Sequence, residues 1–206
     1  MLHEKIVTAG KKIEHAKKVL IMLHGRGANA EDILSLSNHL EIKDFALFAP
    51  DAKNNSWYPQ SFLSPPKQNE PWLSSALALI ENLITSLNEK NISKENIYFL
   101  GFSQGACLTL EFVARNATKY GGVAAFTGGL IGDKIYTENY KGNFEQTSFF
   151  IGSSNPDFHV PVERVYATTN ILKSMGAAVT EKIYENMGHT INEDEISQAN
   201  TIIFNH

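Results

Sequence analysis

The sequence predicts an α/β fold with a mostly parallel central sheet and helices on both faces. Three observations carry that prediction. Short apolar runs alternate with helix-patterned segments along the whole chain, the order that builds parallel sheets. Residues 19–23 (Val-Leu-Ile-Met-Leu) are continuously apolar, as strands buried on both faces are. Residues 73–88 carry Leu73, Ala76, Leu77, Leu79, Ile80, Leu83, Ile84 and Leu87, the spacing of an amphipathic helix.

Each element follows in order. Residues 1–17 are expected to form an N-terminal β-hairpin, with strands at 3–8 and 13–15 and the pairs Lys11-Lys12 and Lys17-Lys18 on its solvated side. After the strand at 19–23, a helix is expected over 30–40, capped by Asn29. The next strand, 45–48, ends at Pro50. Residues 50–71 contain five of the seven prolines and read as a long irregular loop, which in a compact domain usually serves function. The strand 97–100 is followed by a turn and a helix with Cys107, Leu108, Leu110, Phe112 and Val113 at its apolar positions. Strands at 122–126, 147–151 and 179–184 alternate with helices near 162–175 and 191–204. No repeat or linker divides the chain, so residues 1–206 read as a single domain.

Composition narrows the classes. The chain has 206 residues, 43% hydrophobic and 19% charged, with a net charge of −4. That balance predicts neither nucleic acid nor an anionic membrane as partner. Cys107 is the single cysteine, so no intrachain disulfide can form; it reads as a small buried hydrophobe. Glu4, Lys5, Lys11, Lys12 and Glu14 interrupt any apolar run near the start, and no run of about 18 apolar residues suits a membrane span. A soluble, cytoplasmic protein is expected.

In parallel sheets, chemistry gathers at the carboxyl ends of the strands. After 97–100 comes Gly101-Phe102-Ser103-Gln104-Gly105, a G-x-S-x-G elbow in the strand–turn–helix setting that the motif requires. The serine sits on a strained turn, so the residues two before and two after it must be small. After 19–23 comes His24-Gly25-Arg26-Gly27, a turn that can aim backbone N–H groups into a cleft. The N–H groups of Arg26 and Gln104 are then the two donors of an oxyanion hole. After 147–151 lies Asp157, which can orient an imidazole; Asp133, after the preceding strand, is the second candidate. After 179–184 lies His189, placed to act as general base. Each of these alone also reads as an ordinary turn, cap or surface residue. Together, Ser103, Asp157 and His189 stand in the chain order Ser…Asp…His, each after a strand, which is the order associated with α/β-hydrolases.

At these residues the chain resembles the phospholipase/carboxylesterase family of α/β-hydrolases, which includes acyl-protein thioesterases and small bacterial carboxylesterases. The resemblance runs from about Val19 to the C-terminus. It rests on Leu23-His24-Gly25-Arg26-Gly27, Ala49-Pro50, the Gly101–Gly105 elbow, Phe126-Thr127-Gly128-Gly129-Leu130, Asp157-Phe158-His159-Val160-Pro161 and Tyr184-Glu185-Asn186-Met187-Gly188-His189. It implies Ser103 as nucleophile, Asp157 as orienting acid, His189 as base and the N–H groups of Arg26 and Gln104 as oxyanion donors. It also implies ester or thioester hydrolysis through an acyl-enzyme, with no metal or organic cofactor, and a family in which homodimers occur. Thioesterase members usually carry Leu where Arg26 stands. The backbone N–H survives that change, while an exposed guanidinium beside the acyl site favours substrates with a carboxylate or phosphate.

The loop 50–71 is expected to wall the acyl site, with Trp57, Tyr58, Phe62 and Leu63 as apolar surface and Pro59, Pro65 and Pro66 as stiffeners. Only about twenty residues separate the strands 122–126 and 147–151, too few for a large cap domain. A shallow, open site for short to medium acyl chains follows. His24 is expected to support the oxyanion turn and His159 to stand at the site rim. His3, His15, His39 and His206 read as surface residues, and no histidine pair has helix-spaced metal-ligand geometry. Two rival readings remain: a hydrolase fold used as a small-molecule receptor, which would not label with a serine-directed probe, and an acyltransferase, in which an alcohol or thiol replaces water.

Overall fold

A computed structural model of the chain describes residues 5–205. Seven strands form one sheet in the order β1-β3-β2-β4-β5-β6-β7. They are β1 (Ile6–Gly10), β2 (Lys18–Leu23), β3 (Phe45–Pro50), β4 (Ile97–Phe102), β5 (Gly122–Phe126), β6 (Ser148–Asn155) and β7 (Ala178–Glu185). All neighbours pair in parallel except β1 with β3. The helices are α1 (Ala30–Ser35), α2 (Trp72–Glu89), α3 (Gln104–Arg115), α4 (Val162–Ser174) and α5 (Glu193–Ala199).

The continuous apolar runs are strands covered on both faces. In β2, Val19, Ile21 and Leu23 join the core formed with α2, α3 and α4, whereas Leu20 and Met22 join the one formed with α1 and α5. The two-residue period of a strand sends alternate side chains to opposite layers, so each layer needs its own apolar set. The edge strand β7 borders a single neighbour, and its burial is only partial. The loop from β5 to β6 contains one short 3-10 turn, Thr137–Asn139, and no inserted cap domain.

The N-terminal hairpin expected over 1–17 does not form. Ile13–His15 is a single 3-10 turn, and β1 pairs antiparallel with β3, from Ile6 opposite Pro50 to Gly10 opposite Ala46. Three residues at 13–15 offer a poor ladder, while β3 offers a five-residue register and an edge that would otherwise stand open. Gly10 turns the chain away at φ 70°, where a Cβ would lie 2.5 Å from the Phe45 carbonyl oxygen. The first residues of the expected strand, with His3 and His206, lie outside the described residues. The helix expected over 30–40 also divides, into α1 and a 3-10 turn at Leu36–His39. Asn29 caps α1 in a reciprocal box with Asp32.

From β2 the chain moves outward to β3, then returns past β2 to β4. The carboxyl ends of β2 and β4 therefore flank the point where the winding reverses, where open α/β sheets bind ligands. The turn after β2 and the elbow after β4 meet there.

Candidate active site

Ser103 joins β4 to α3 with φ 53° and ψ −117°, a conformation that costs about 1–3 kcal/mol in a residue with a side chain. The flanking glycines permit it by letting backbone touch backbone. A Cβ on Gly101 would lie 2.5 Å from the Gly105 carbonyl oxygen, and one on Gly105 would lie 2.0 Å from that of Leu23. The Ser103 N–H donates to Phe126 O at 2.9 Å, and Cys107 N–H donates to Ser103 O at 2.9 Å. The neighbouring strand and the first helical turn thus hold the strained residue from both sides.

Three loops bring the polar side chains together. The Ser103 hydroxyl lies 2.8 Å from His189 Nε2, and His189 Nδ1 lies 2.8 Å from Asp157 Oδ2. The second oxygen of Asp157 accepts the backbone N–H groups of His159 and Val160 at 2.7 and 3.0 Å. Burial by itself would raise the Asp157 carboxyl. The hydrogen bonds from His189, His159 and Val160, with the His189 charge, outweigh it and hold the carboxyl below its ordinary range. An ionised Asp157 only accepts, so Nδ1 carries the imidazole proton and Nε2 is left to accept from Ser103. The His189 loop is itself pinned, since Gly188 N–H donates to Ser154 Oγ at 2.9 Å. Asp133, the second candidate, is exposed and accepts from the Tyr136 hydroxyl at 2.8 Å; it does not reach His189.

The backbone N–H groups of Arg26 and Gln104 take part in no hydrogen bond among the described residues. Gln104 opens α3, whose first N–H groups have no intrahelical acceptor and whose dipole favours negative charge at that end. His24 buttresses the opposite wall. Ala52 N–H donates to its Nε2 at 3.1 Å, so Nδ1 carries the proton and donates to Gly25 O at 2.8 Å. Its ring lies 4.9 Å from that of Trp57.

The loop after β3 departs from expectation in three places. Trp57 does not line the site: its indole is buried and donates to His24 O at 2.8 Å, because the ring has an unpaired carbonyl to serve beneath the turn. Leu63 packs half-buried against the core, while Tyr58 and Phe62 line the cavity. The Arg26 guanidinium does not stand free for an anionic substrate. It donates to the carbonyls of Tyr58, Pro59 and Gln60 at 2.9, 3.0 and 2.7 Å, strapping the loop to the turn after β2.

Two further struts have no marker in the sequence. The Gln104 side chain accepts from Trp57 N–H at 3.0 Å and donates to Tyr58 O at 2.8 Å. Buried Asn69 accepts from Gln60 N–H at 2.8 Å and donates to Ser61 O at 3.1 Å. The cavity these struts shape has a volume of about 380 Å³. Gln60, Ser61 and His159 form its exposed rim, and Phe62, Cys107 and Val160 are among its buried lining. The His159 ring meets that of His189 edge-on at 4.7 Å. Cys107 is buried as expected, with its thiol pushed up to about 12 by that burial. It also faces the cavity, which its position one helical turn after Ser103 could have signalled. Among the described residues no helix is long and apolar enough to cross a membrane.

A model of the phospholipase/carboxylesterase family matches residues 3–206. A crystal structure of a phospholipase/carboxylesterase from Dyadobacter fermentans is 52% identical, with a TM-score of 0.96 over 98% of this chain and 96% of that one. The probable carboxylesterase SOBER1-like of Arabidopsis thaliana is 26% identical over 198 residues, covering 88% of this chain and 76% of its own length. Acyl-protein thioesterase 1 of Saccharomyces cerevisiae is 25% identical over 217 residues, covering 93% of this chain and 94% of its own.

Proposed function

The chain belongs to the phospholipase/carboxylesterase family, and from that premise we propose that it is a serine esterase hydrolysing carboxylic esters of short to medium acyl chains. The observation that carries this reading is the unbroken hydrogen-bond chain from Ser103 through His189 to Asp157, with both links at 2.8 Å. His189 Nε2 takes the Ser103 proton as Oγ bonds the ester carbonyl carbon. The oxyanion forms between the N–H groups of Arg26 and Gln104. The imidazolium, steadied by Asp157, then gives its proton to the leaving alcohol, and water deacylates Ser103 by the same route. No metal or organic cofactor enters these steps.

The strained backbone at Ser103 supports catalysis over a receptor role, because a pocket that only binds gains nothing from an aimed hydroxyl at that energetic cost. The cavity of about 380 Å³ supports short and medium acyl groups. The relative named acyl-protein thioesterase keeps thioesters within range of the same machinery.

The test is hydrolysis of p-nitrophenyl esters from acetate to palmitate by wild type and Ser103→Ala. Wild type is expected to show a p-nitrophenol burst and an optimum below about eight carbons, and Ser103→Ala to lose about 10⁴-fold or more in kcat. Equal rates in the two proteins would overturn the nucleophile assignment, and a palmitate optimum would overturn the chain-length reading. Matched thioesters in the same assay rank the two substrate classes.

A further inference from the structure

One buried hydroxyl joins the two loops that carry the acid and the base. Ser154 is the last residue but one of β6 and is fully buried. Its Oγ accepts the Gly188 N–H at 2.9 Å and donates to the Pro156 carbonyl at a longer 3.3 Å. Gly188 immediately precedes His189, and Pro156 immediately precedes Asp157. A single side-chain oxygen thus bridges the residue before the base and the residue before the acid.

Little else holds either loop at that point. β7 ends at Glu185, after which Asn186 and Gly188 take left-handed backbone at φ 56° and 80°. Asn186 N–H donates to Asn155 O at 2.9 Å; beyond it, the backbone of residues 187–189 makes no backbone–backbone bond outside its own loop among the described residues. On the acid side, Pro156 has no N–H to give, and among the described residues its carbonyl has no partner besides Ser154. Asp157 is held from ahead by the N–H groups of His159 and Val160, and from behind by this one bridge. Ser154 lines no part of the cavity, so its influence passes through the contact between Asp157 Oδ2 and His189 Nδ1.

We propose that Ser154 is a positioning residue that fixes Asp157 against His189 by bridging the backbone just before each of them. The proposal rests on the ester-hydrolase reading above and adds a residue to its machinery. The imidazole takes a proton from Ser103 and later delivers it to the leaving group, so it must keep one orientation through both steps. A misplacement of about 1 Å can cost about 10²-fold in rate. Alanine at position 154 removes the shared partner and lets the two loops shift independently. The neighbouring Ser153 is an internal control, because it is equally buried and its hydroxyl has no partner to lose.

The experiment measures kcat and KM for p-nitrophenyl butyrate in wild type, Ser154→Ala, Ser153→Ala, Asp157→Asn and the double variant Ser154→Ala/Asp157→Asn. Ser154→Ala is expected to lower kcat about tenfold to a hundredfold with KM within about twofold of wild type. Ser153→Ala is expected to keep the wild-type kcat. A general structural weakening would add its full cost to that of Asp157→Asn, whereas a positioning role has nothing left to position there. In the Asp157→Asn background the Ser154→Ala step is therefore expected to cost less than about twofold. Three results overturn the proposal: a folded Ser154→Ala within about twofold of the wild-type kcat, an equal loss in Ser153→Ala, or the same loss with and without Asp157. If Ser154→Ala does not fold, Ser154→Cys takes its place with the same outcomes, since its thiol is only a weak acceptor. Each of those results leaves the esterase reading standing while wild type hydrolyses the ester and labels at Ser103 with a fluorophosphonate. A wild type that does neither sinks both readings.

Discussion

Replacing Asp157 by Asn tests the proposed triad at the point where its geometry makes the strictest demand. One carboxylate oxygen accepts the N–H groups of His159 and Val160, and the other faces His189 Nδ1 at 2.8 Å. An amide nitrogen cannot accept, so the Asn oxygen must take the place facing the two backbone N–H groups. Its NH₂ then points at Nδ1 and donates to it, which forces the imidazole proton onto Nε2. In that tautomer Nε2 donates to Ser103 and cannot receive its proton. The expected loss is about 10⁴-fold in kcat, or about 5.5 kcal/mol of transition-state stabilisation. The substitution is nearly isosteric and keeps both backbone hydrogen bonds, so the melting temperature should stay close to that of wild type. The assay pairs steady-state hydrolysis of p-nitrophenyl butyrate with the rate of fluorophosphonate labelling, and both should fall together. An Asp157→Asn protein that is folded and within tenfold of wild type would refute the reasoning and move the orienting acid elsewhere.

Three further outcomes follow from the same contacts. Arg26→Met keeps the backbone N–H but removes three hydrogen bonds to the loop carbonyls. Because the guanidinium is exposed, a loss of about 1–2 kcal/mol is expected in urea unfolding, with no selective loss on carboxylate-bearing esters; such a loss would restore a substrate-binding role for the side chain. Gly105→Ala puts a Cβ 2.0 Å from Leu23 O. It should part the elbow from β2 and cost both activity and several degrees of melting temperature, and a fully active, equally stable variant would contradict the close approach. Glu195, buried behind β6, is raised to about 7 by burial, against the hydrogen bond from Asn192 and with the Asp194 charge adding to the rise. Its folded value exceeds the ordinary 4.5, so the folded state binds more protons between those values and stability falls as pH rises from about 4.5 to 7, then levels. Glu195→Gln removes that titration, so its stability relative to wild type should rise by about 2 kcal/mol from pH 5 to pH 8; a difference independent of pH would count against the assignment.

What the amino-acid sequence determined by itself was local or followed from a sheet rule. Apolar runs of five or six residues became strands because only burial on both faces suits them. The small residues around Ser103 marked the elbow because a Cβ at either glycine would strike backbone. A parallel sheet also collects its strand ends at one edge, which let residues 103, 157 and 189 be matched across 86 positions. Tertiary structure decided whatever depended on a choice among distant partners. Asp133 and Asp157 both follow strands, and only the path of the chain carries Asp157 alone to His189. β1 took β3 as its partner in preference to the adjacent residues 13–15, since an open sheet edge offers a longer ladder than a neighbour in sequence does. Nothing near Arg26 announces that its acceptors lie more than thirty residues ahead, at Tyr58, Pro59 and Gln60. Which aromatics of that loop face the cavity depended on how the loop packs against α3 and the His24 turn. Periodicity and sterics act over a few residues and are legible in a string; hydrogen-bond partners and cavity walls arise from packing, which no local segment encodes.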